Sequence, residues 1–270
     1  MHEMVIEAGH AERNYWNDIW RYRELFWFLA WRDILVRYKQ TVLGITWALL
    51  QPFLTMVVFT VVFGKVAKLP SNGVPYPVLV FAALLPWQFF SRALSESSTS
   101  LITNTNLISK VYFPRLIVPV GSIVVSLIDF LISFALLAAL MAWYQFWPGA
   151  RIAALALLIP LAIAVAVGPG LLIAALNVRF RDFRYIIPFI VQLGIYISPV
   201  GFTSELVPDK WRLLYSLNPL VGVIDAFRWC LTGSELYVPS LVISAVVIVV
   251  MLVLGVWYFR KTERTFADII

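Results

Sequence analysis

Five stretches of this 270-residue sequence, at 40–64, 69–91, 152–178, 185–204 and 236–259, run for twenty residues or more without an Asp, Glu, Lys or Arg. A sixth, 116–150, is interrupted only by Asp129. A helix needs about 20 apolar residues, rising about 1.5 Å each, to cross roughly 30 Å of hydrocarbon. Within lipid every backbone amide must be bonded inside the structure, which leaves helices and closed barrels. The runs lack the two-residue alternation of barrel strands. The sequence therefore predicts an all-α, polytopic integral membrane protein with six transmembrane helices. Composition agrees, with 61% hydrophobic residues, 13% charged and a mean hydropathy of +0.85. These are too few polar groups to cover a water-soluble surface.

The basic residues are unevenly placed. Of 21 Lys and Arg, six precede the first span and three lie in each of the second–third connector, the fourth–fifth connector and the C-terminal tail. The remaining six fall on the other side. The positive-inside rule then places both termini in the cytoplasm. The net charge of +6 suits an anionic inner leaflet, and no nucleic acid is needed to explain it. Residues 1–14 carry Glu3, Glu7 and Glu12 and lack the basic region and short apolar core of a cleavable signal, so insertion is expected to rely on the spans.

Three segments fit neither span nor simple loop. Over 20–39 a helix places Trp20, Trp27, Trp31, Ile34, Leu35 and Tyr38 on one face, with Arg21, Arg23, Arg32, Arg37 and Lys39 over the other. This is an amphipathic helix at the membrane interface, serving either as an anchor for the first span or in a functional role. Residues 95–114 are rich in Ser, Thr and Asn and read as a short helix, with Leu101 and Ile108 on one face, or as a solvated loop. Residues 205–235 hold an apolar run too short to cross, broken at Asn218-Pro219. They predict a re-entrant pair of half-inserted helices between spans 5 and 6, tolerated only where protein or a wet cavity surrounds the break.

The chemistry-bearing residues exclude most enzymes. One cysteine, Cys230, and two histidines, His2 and His10, leave no Cys/His metal set, internal disulfide or histidine-based triad. The phosphate-cradling pattern G-x-x-x-x-G-K-[ST] is missing, since Gly64-Lys65 is followed by Val66. The chain is thus expected to have no catalytic site, no metal and no cofactor of its own, and any ATP must be bound elsewhere. Asp129 is the only ionisable residue deep in a span and a default functional candidate. Ser126 and Ser133, one turn to either side, are its expected hydrogen-bond partners. Aromatics reach 15%; they belong to interfacial belts or, where turned inward, could stack on sugar rings.

Residues Arg32-Asp33-Ile34-Leu35-Val36-Arg37-Tyr38-Lys39-Gln40-Thr41-Val42-Leu43-Gly44, followed by Trp47, Gln51-Pro52 and Val62-Phe63-Gly64, resemble the start of polysaccharide-exporting ABC-2 permeases. Lys110-Val111-Tyr112-Phe113-Pro114-Arg115, Leu176 to Asp182, Ser198-Pro199-Val200, and Leu217-Asn218-Pro219-Leu220 through Phe227-Arg228-Trp229 resemble that family in the same order. The nearest branch exports lipid-linked O-antigen, with teichoic-acid exporters next. The resemblance implies one ABC-2 transmembrane domain over 1–270. It comprises a cytoplasmic N-terminus with interface helix at 1–43, a six-span bundle at 44–259 and a cytoplasmic tail at 260–270.

It further implies a homodimer in the bacterial inner membrane. Two ATPase subunits that bind ATP and Mg would drive a polyprenyl-diphosphate-linked polysaccharide through the dimer. On that expectation Glu96, Asn104, Asn106 and Lys110 couple to the ATPase. Arg37, Lys39, Arg179, Arg181 and Arg184 meet the substrate diphosphate, unless they serve only positive-inside topology. Phe53, Phe59, Tyr196 and Ser198 line the channel, and Asn218 and Pro219 belong to the outer gate. The rival readings are a small-molecule ABC-2 exporter and an ion-coupled carrier resting on Asp129.

Overall fold

The computed structural model describes residues 15–39, 44–180 and 182–266, which form helices joined by short turns and loops and contain no strand. In chain order the helices are α1 Tyr15–Arg21, α2 Arg23–Lys39, α3 Gly44–Phe59, α4 Tyr76–Thr103, α5 Thr105–Lys110, α6 Ile117–Trp143, α7 Leu155–Arg179, α8 Phe183–Ile197, α9 Asp209–Tyr215, α10 Pro219–Thr232 and α11 Val238–Thr262. Helix α3 continues as a wider π-helical stretch, Thr60–Val66.

Among the described residues, five helical stretches are long and apolar enough to cross a membrane: Thr46–Val66, Tyr76–Thr103, Ile117–Trp143, Ala150–Arg179 and Val238–Thr265. The run at 185–204 folds differently. Its helix, α8, has 15 residues, about 22 Å at the usual rise, and the chain turns at Ser198 and Pro199.

Helix α4 is the central post. Its residues Val78 to Leu85 are at most 2% exposed, and it packs against α6, α7 and α10. Helix α11 lies along α7 and α10. The α7–α11 crossing is set by Gly168 and Gly255. A Cβ on Gly168 would come within 2.7 Å of the Met251 and Leu252 backbone, and one on Gly255 would overlap the Gly168 carbonyl oxygen. In lipid, where apolar surface gains little by leaving solvent, such close approach is what holds helices together.

The polar stretch after residue 95 is neither a separate short helix nor a solvated loop in its first half. Helix α4 runs on to Thr103, and its hydroxyls are satisfied by carbonyls of its own preceding turn. Ser98 Oγ donates to the Ser95 carbonyl at 2.6 Å and Ser100 Oγ to that of Ser97 at 2.7 Å. These side chains are small enough for α7 to approach, and Asn177 Nδ2 donates to the Ser98 carbonyl at 2.8 Å. The chain bends at Asn104 into α5.

A second cluster gathers both ends of the described chain, with Tyr15, Leu29, Leu101, Ile108, Phe113, Phe259 and Phe266 packed together. Tyr15 donates its hydroxyl to Glu263 at 2.9 Å, and the Arg260 guanidinium sits 4.3 Å from the Tyr15 ring centre. Burial and the neighbouring carboxylate push the Tyr15 phenol far above its usual pKa. This is the terminal end of the bundle; Tyr76 and α10 mark the opposite end.

Candidate functional site

Helices α1 and α2 lie across the terminal end with their tryptophans outward. Trp20 is 71% exposed, Trp27 63% and Trp31 60%, while Leu29 and Ala30 are buried beneath. An exposed aromatic row on a helix that also carries Arg and Lys is suited to the headgroup layer. The basic residues do not all face water, however. Arg32 and Arg37 turn into the bundle.

There they meet a seam of charge shared by four helices. Arg37 Nη1 donates to Asp129 Oδ2 of α6 at 2.7 Å, and its Nη2 donates to Glu96 of α4. Arg92 of α4 reaches the same Asp129 oxygen at 2.9 Å and donates to Gln51 Oε1 of α3 at 3.1 Å. Tyr38 donates its hydroxyl to the other Asp129 oxygen. Burial first, and then Asp129, raise the Tyr38 phenol well above its ordinary pKa. Arg32 Nη2 donates to Asn104 Oδ1 at 2.8 Å. Asp129 therefore draws on α2 and α4, not on Ser126 and Ser133. Ser126 instead donates to the Ser122 carbonyl within its own helix. A carboxylate buried to 4% exposure recruits cations because neutral hydroxyls cannot offset its lost hydration.

The structure joins two of the four expected coupling residues to this seam, Glu96 through Arg37 and Asn104 through Arg32. Asn106 and Lys110 stand exposed on α5. Of the expected diphosphate residues, Lys39, Arg179 and Arg184 are exposed. Arg37 lies in the seam, and Arg181 falls outside the described residues.

At the opposite end, Phe59 of α3 stacks on Tyr196 of α8 with ring centres 6.3 Å apart. Phe53 is 39% exposed and Phe59 7%. Asn218 Oδ1 accepts from the Leu220 amide at 3.1 Å and so caps α10, with Pro219 at its first position, where a missing amide proton costs nothing. Its Nδ2 donates to Ser198 Oγ at 3.1 Å.

Sequence reasoning counted Arg228 among the six basic residues of the far side and assigned it no role. It is 2% exposed inside α10 and donates to the carbonyls of Phe202 at 2.7 Å, Val200 at 2.8 Å and Leu79 at 3.3 Å. Asp225, one turn earlier, accepts from Ser204 Oγ at 2.6 Å. The signal was available in the sequence, since Asp225 and Arg228 stand three residues apart in an apolar run.

The sequence profile described as ABC-2 type transporter matches residues 24–232. The chain belongs to the ABC-2 type transporter family. It is 27% identical over 254 residues to the O-antigen export system permease protein RfbA of Myxococcus xanthus, covering 93% of this chain and 97% of that protein. It is 25% identical over 240 residues to the protein of the same name from Klebsiella pneumoniae, covering 88% and 92%. It is also 25% identical over 239 residues to the polysialic acid transport protein KpsM of Escherichia coli, covering 86% and 91%. The seam of this ABC-2 chain, from Arg32 to Asp129, and its buried Arg228 all lie within the matched residues.

Proposed function

We propose that this chain is the transmembrane subunit of an ATP-driven exporter of lipid-linked polysaccharide, O-antigen foremost and teichoic acid next, in the bacterial cytoplasmic membrane. The observation that carries this reading is the end-to-end likeness to permeases named for O-antigen and polysialic acid export. It works as a homodimer with two ATPase subunits that bind ATP and Mg, and has no hydrolytic site of its own. Residues 1–43 form the cytoplasmic N-terminus with its interface helix, 44–259 a six-span bundle and 260–270 a cytoplasmic tail.

On this reading the terminal end is cytoplasmic, and α8 with the turn at 198–204 completes the sixth crossing. Helices α9 and α10 are the re-entrant outer gate, broken at Asn218-Pro219. The aromatic surface of α3 and α8, with Phe53, Phe59, Tyr196 and Ser198, lines the channel. The exposed Asn106 and Lys110 meet the ATPase, backed by Glu96 and Asn104. Lys39, Arg179, Arg181 and Arg184 offer the diphosphate its charges at the membrane surface, with Arg37 behind them. Pairing of Asp129 with Arg37 and Arg92 supports this over an ion-coupled carrier, whose carboxylate must be free to load and release its ion.

The test is to purify the chain with its ATPase partner and measure hydrolysis with defined lipid-linked glycans. Stimulation by a polyprenyl-diphosphate polysaccharide is expected. Stimulation by small apolar compounds alone would instead favour a drug exporter.

A further inference from the structure

Asp129 has cationic partners from two helices with very different anchorage. Arg92 comes from α4, the buried central post, whereas Arg37 comes from α2, which packs on α6 and α3 and turns its tryptophans outward. Arg37 also bridges two environments, since Asp129 is 4% exposed and Glu96 46%. A buried carboxylate stripped of its partner is costly. Here Arg92, which does not belong to α2, lies 2.9 Å from Asp129.

Beside the joint lies a cavity of about 290 Å³ between α2, α4 and α6, lined by Arg32, Glu96, Thr99, Thr103, Asn104 and Ser122 among others. Walls of hydroxyls and balanced charge hold water, and water refills such a gap as it widens. Apolar packing would resist the same movement. The outward tryptophans meanwhile let α2 shift within the interfacial layer without losing its contact with lipid.

We infer that α2 is a lever keyed into the bundle by Arg37, and that Arg92 keeps Asp129 compensated when the key withdraws. Arg37 is a positioning residue for export, acting through Glu96 and Asp129. The lever rests on the ATP-driven exporter reading and gives that reading a moving part.

The experiment uses the whole transporter, this chain with its ATPase subunits, carrying Cys230→Ser and a single Thr99→Cys on the cavity wall. The rate of modification by a charged, water-soluble thiol reagent is compared between nucleotide-free and vanadate-trapped states. The lever predicts a severalfold change between the two states, abolished by Arg37→Gln and retained by Arg37→Lys. Equal rates in the two states overturn it. Ser109→Cys, exposed on α5 outside the cavity, separates the two failures. Sensitivity to nucleotide at 109 but not at 99 removes the lever alone, and insensitivity at both removes the exporter reading with it. A second measurement compares Arg92→Gln with Arg37→Gln in thermal unfolding. The account expects the greater loss from Arg92→Gln, and equal losses contradict it.

Discussion

The ring of Phe59 lies nearly parallel to that of Tyr196, 20° between planes and 6.3 Å between centres, across 137 positions of sequence. Helices α3 and α8 thus meet through aromatics. Tyr196 is 63% exposed and covers Phe59, which is 7% exposed. Stacked rings of this kind add specificity to plain burial.

A graded accessibility follows for the channel surface. In the active transporter, Phe53→Cys and Tyr196→Cys should react with a water-soluble maleimide, and Phe59→Cys severalfold more slowly until Tyr196 is also changed to Ala. Reaction of the first two with lipid-soluble reagents only would turn this surface toward the bilayer.

Arg228 gives a stability prediction. Each hydrogen bond from a charged donor is worth about 1.5–3 kcal/mol, and Arg228→Gln strands the carbonyls of Val200 and Phe202. A loss of about 3 kcal/mol or more is expected, read as a lower midpoint of thermal unfolding in lipid–detergent micelles. Arg228→Lys should fall between, since an ammonium keeps the charge but lacks the fork of donors. Wild-type stability in the Gln variant would mean that the turn at 198–204 does not depend on Arg228.

The α7–α11 crossing can be tested with one methyl group. Gly255→Ala drives a Cβ into the Gly168 carbonyl, and overpacking of this kind costs about 1–3 kcal/mol. Gly149→Ala, where the added Cβ meets nothing within 4 Å, is the matched control. The first should unfold at lower temperature and the second should not.

On α5, Lys110→Glu combined with Asn106→Asp reverses the charge of an exposed surface without touching the core. Export should fall while the ATPase subunits continue to hydrolyse ATP, measured together in proteoliposomes. Unimpaired export would take α5 out of the coupling path.

Much of the fold was legible because lipid imposes a rule on sequence, namely long runs without charge. Five of the six runs became helices of spanning length. The sixth did not, because Ser198-Pro199 ends α8 early and hydropathy does not register where a helix turns. The break at Asn218-Pro219 was legible from chemistry, since a capping side chain followed by proline starts a helix wherever it stands.

Partners of charge were harder to read. The one carboxylate in a span was plain, but its cations stand 92 and 37 positions away on other helices. Only packing reveals that Arg37 leaves its own polar face to reach Asp129. The burial of Arg228 could be suspected from Asp225 nearby in the same apolar run, but its acceptors, the carbonyls of Leu79, Val200 and Phe202, are marked by no sequence pattern.

The central claim is that this chain moves polysaccharide only with energy supplied by a partner ATPase. The most direct measurement is appearance of lipid-linked polysaccharide on the far face of proteoliposomes containing this chain and its ATPase. Wild-type ATPase should support ATP-dependent transfer, and a variant ATPase that binds but does not hydrolyse ATP should support none. Equal transfer with both, or with no ATPase present, contradicts the account.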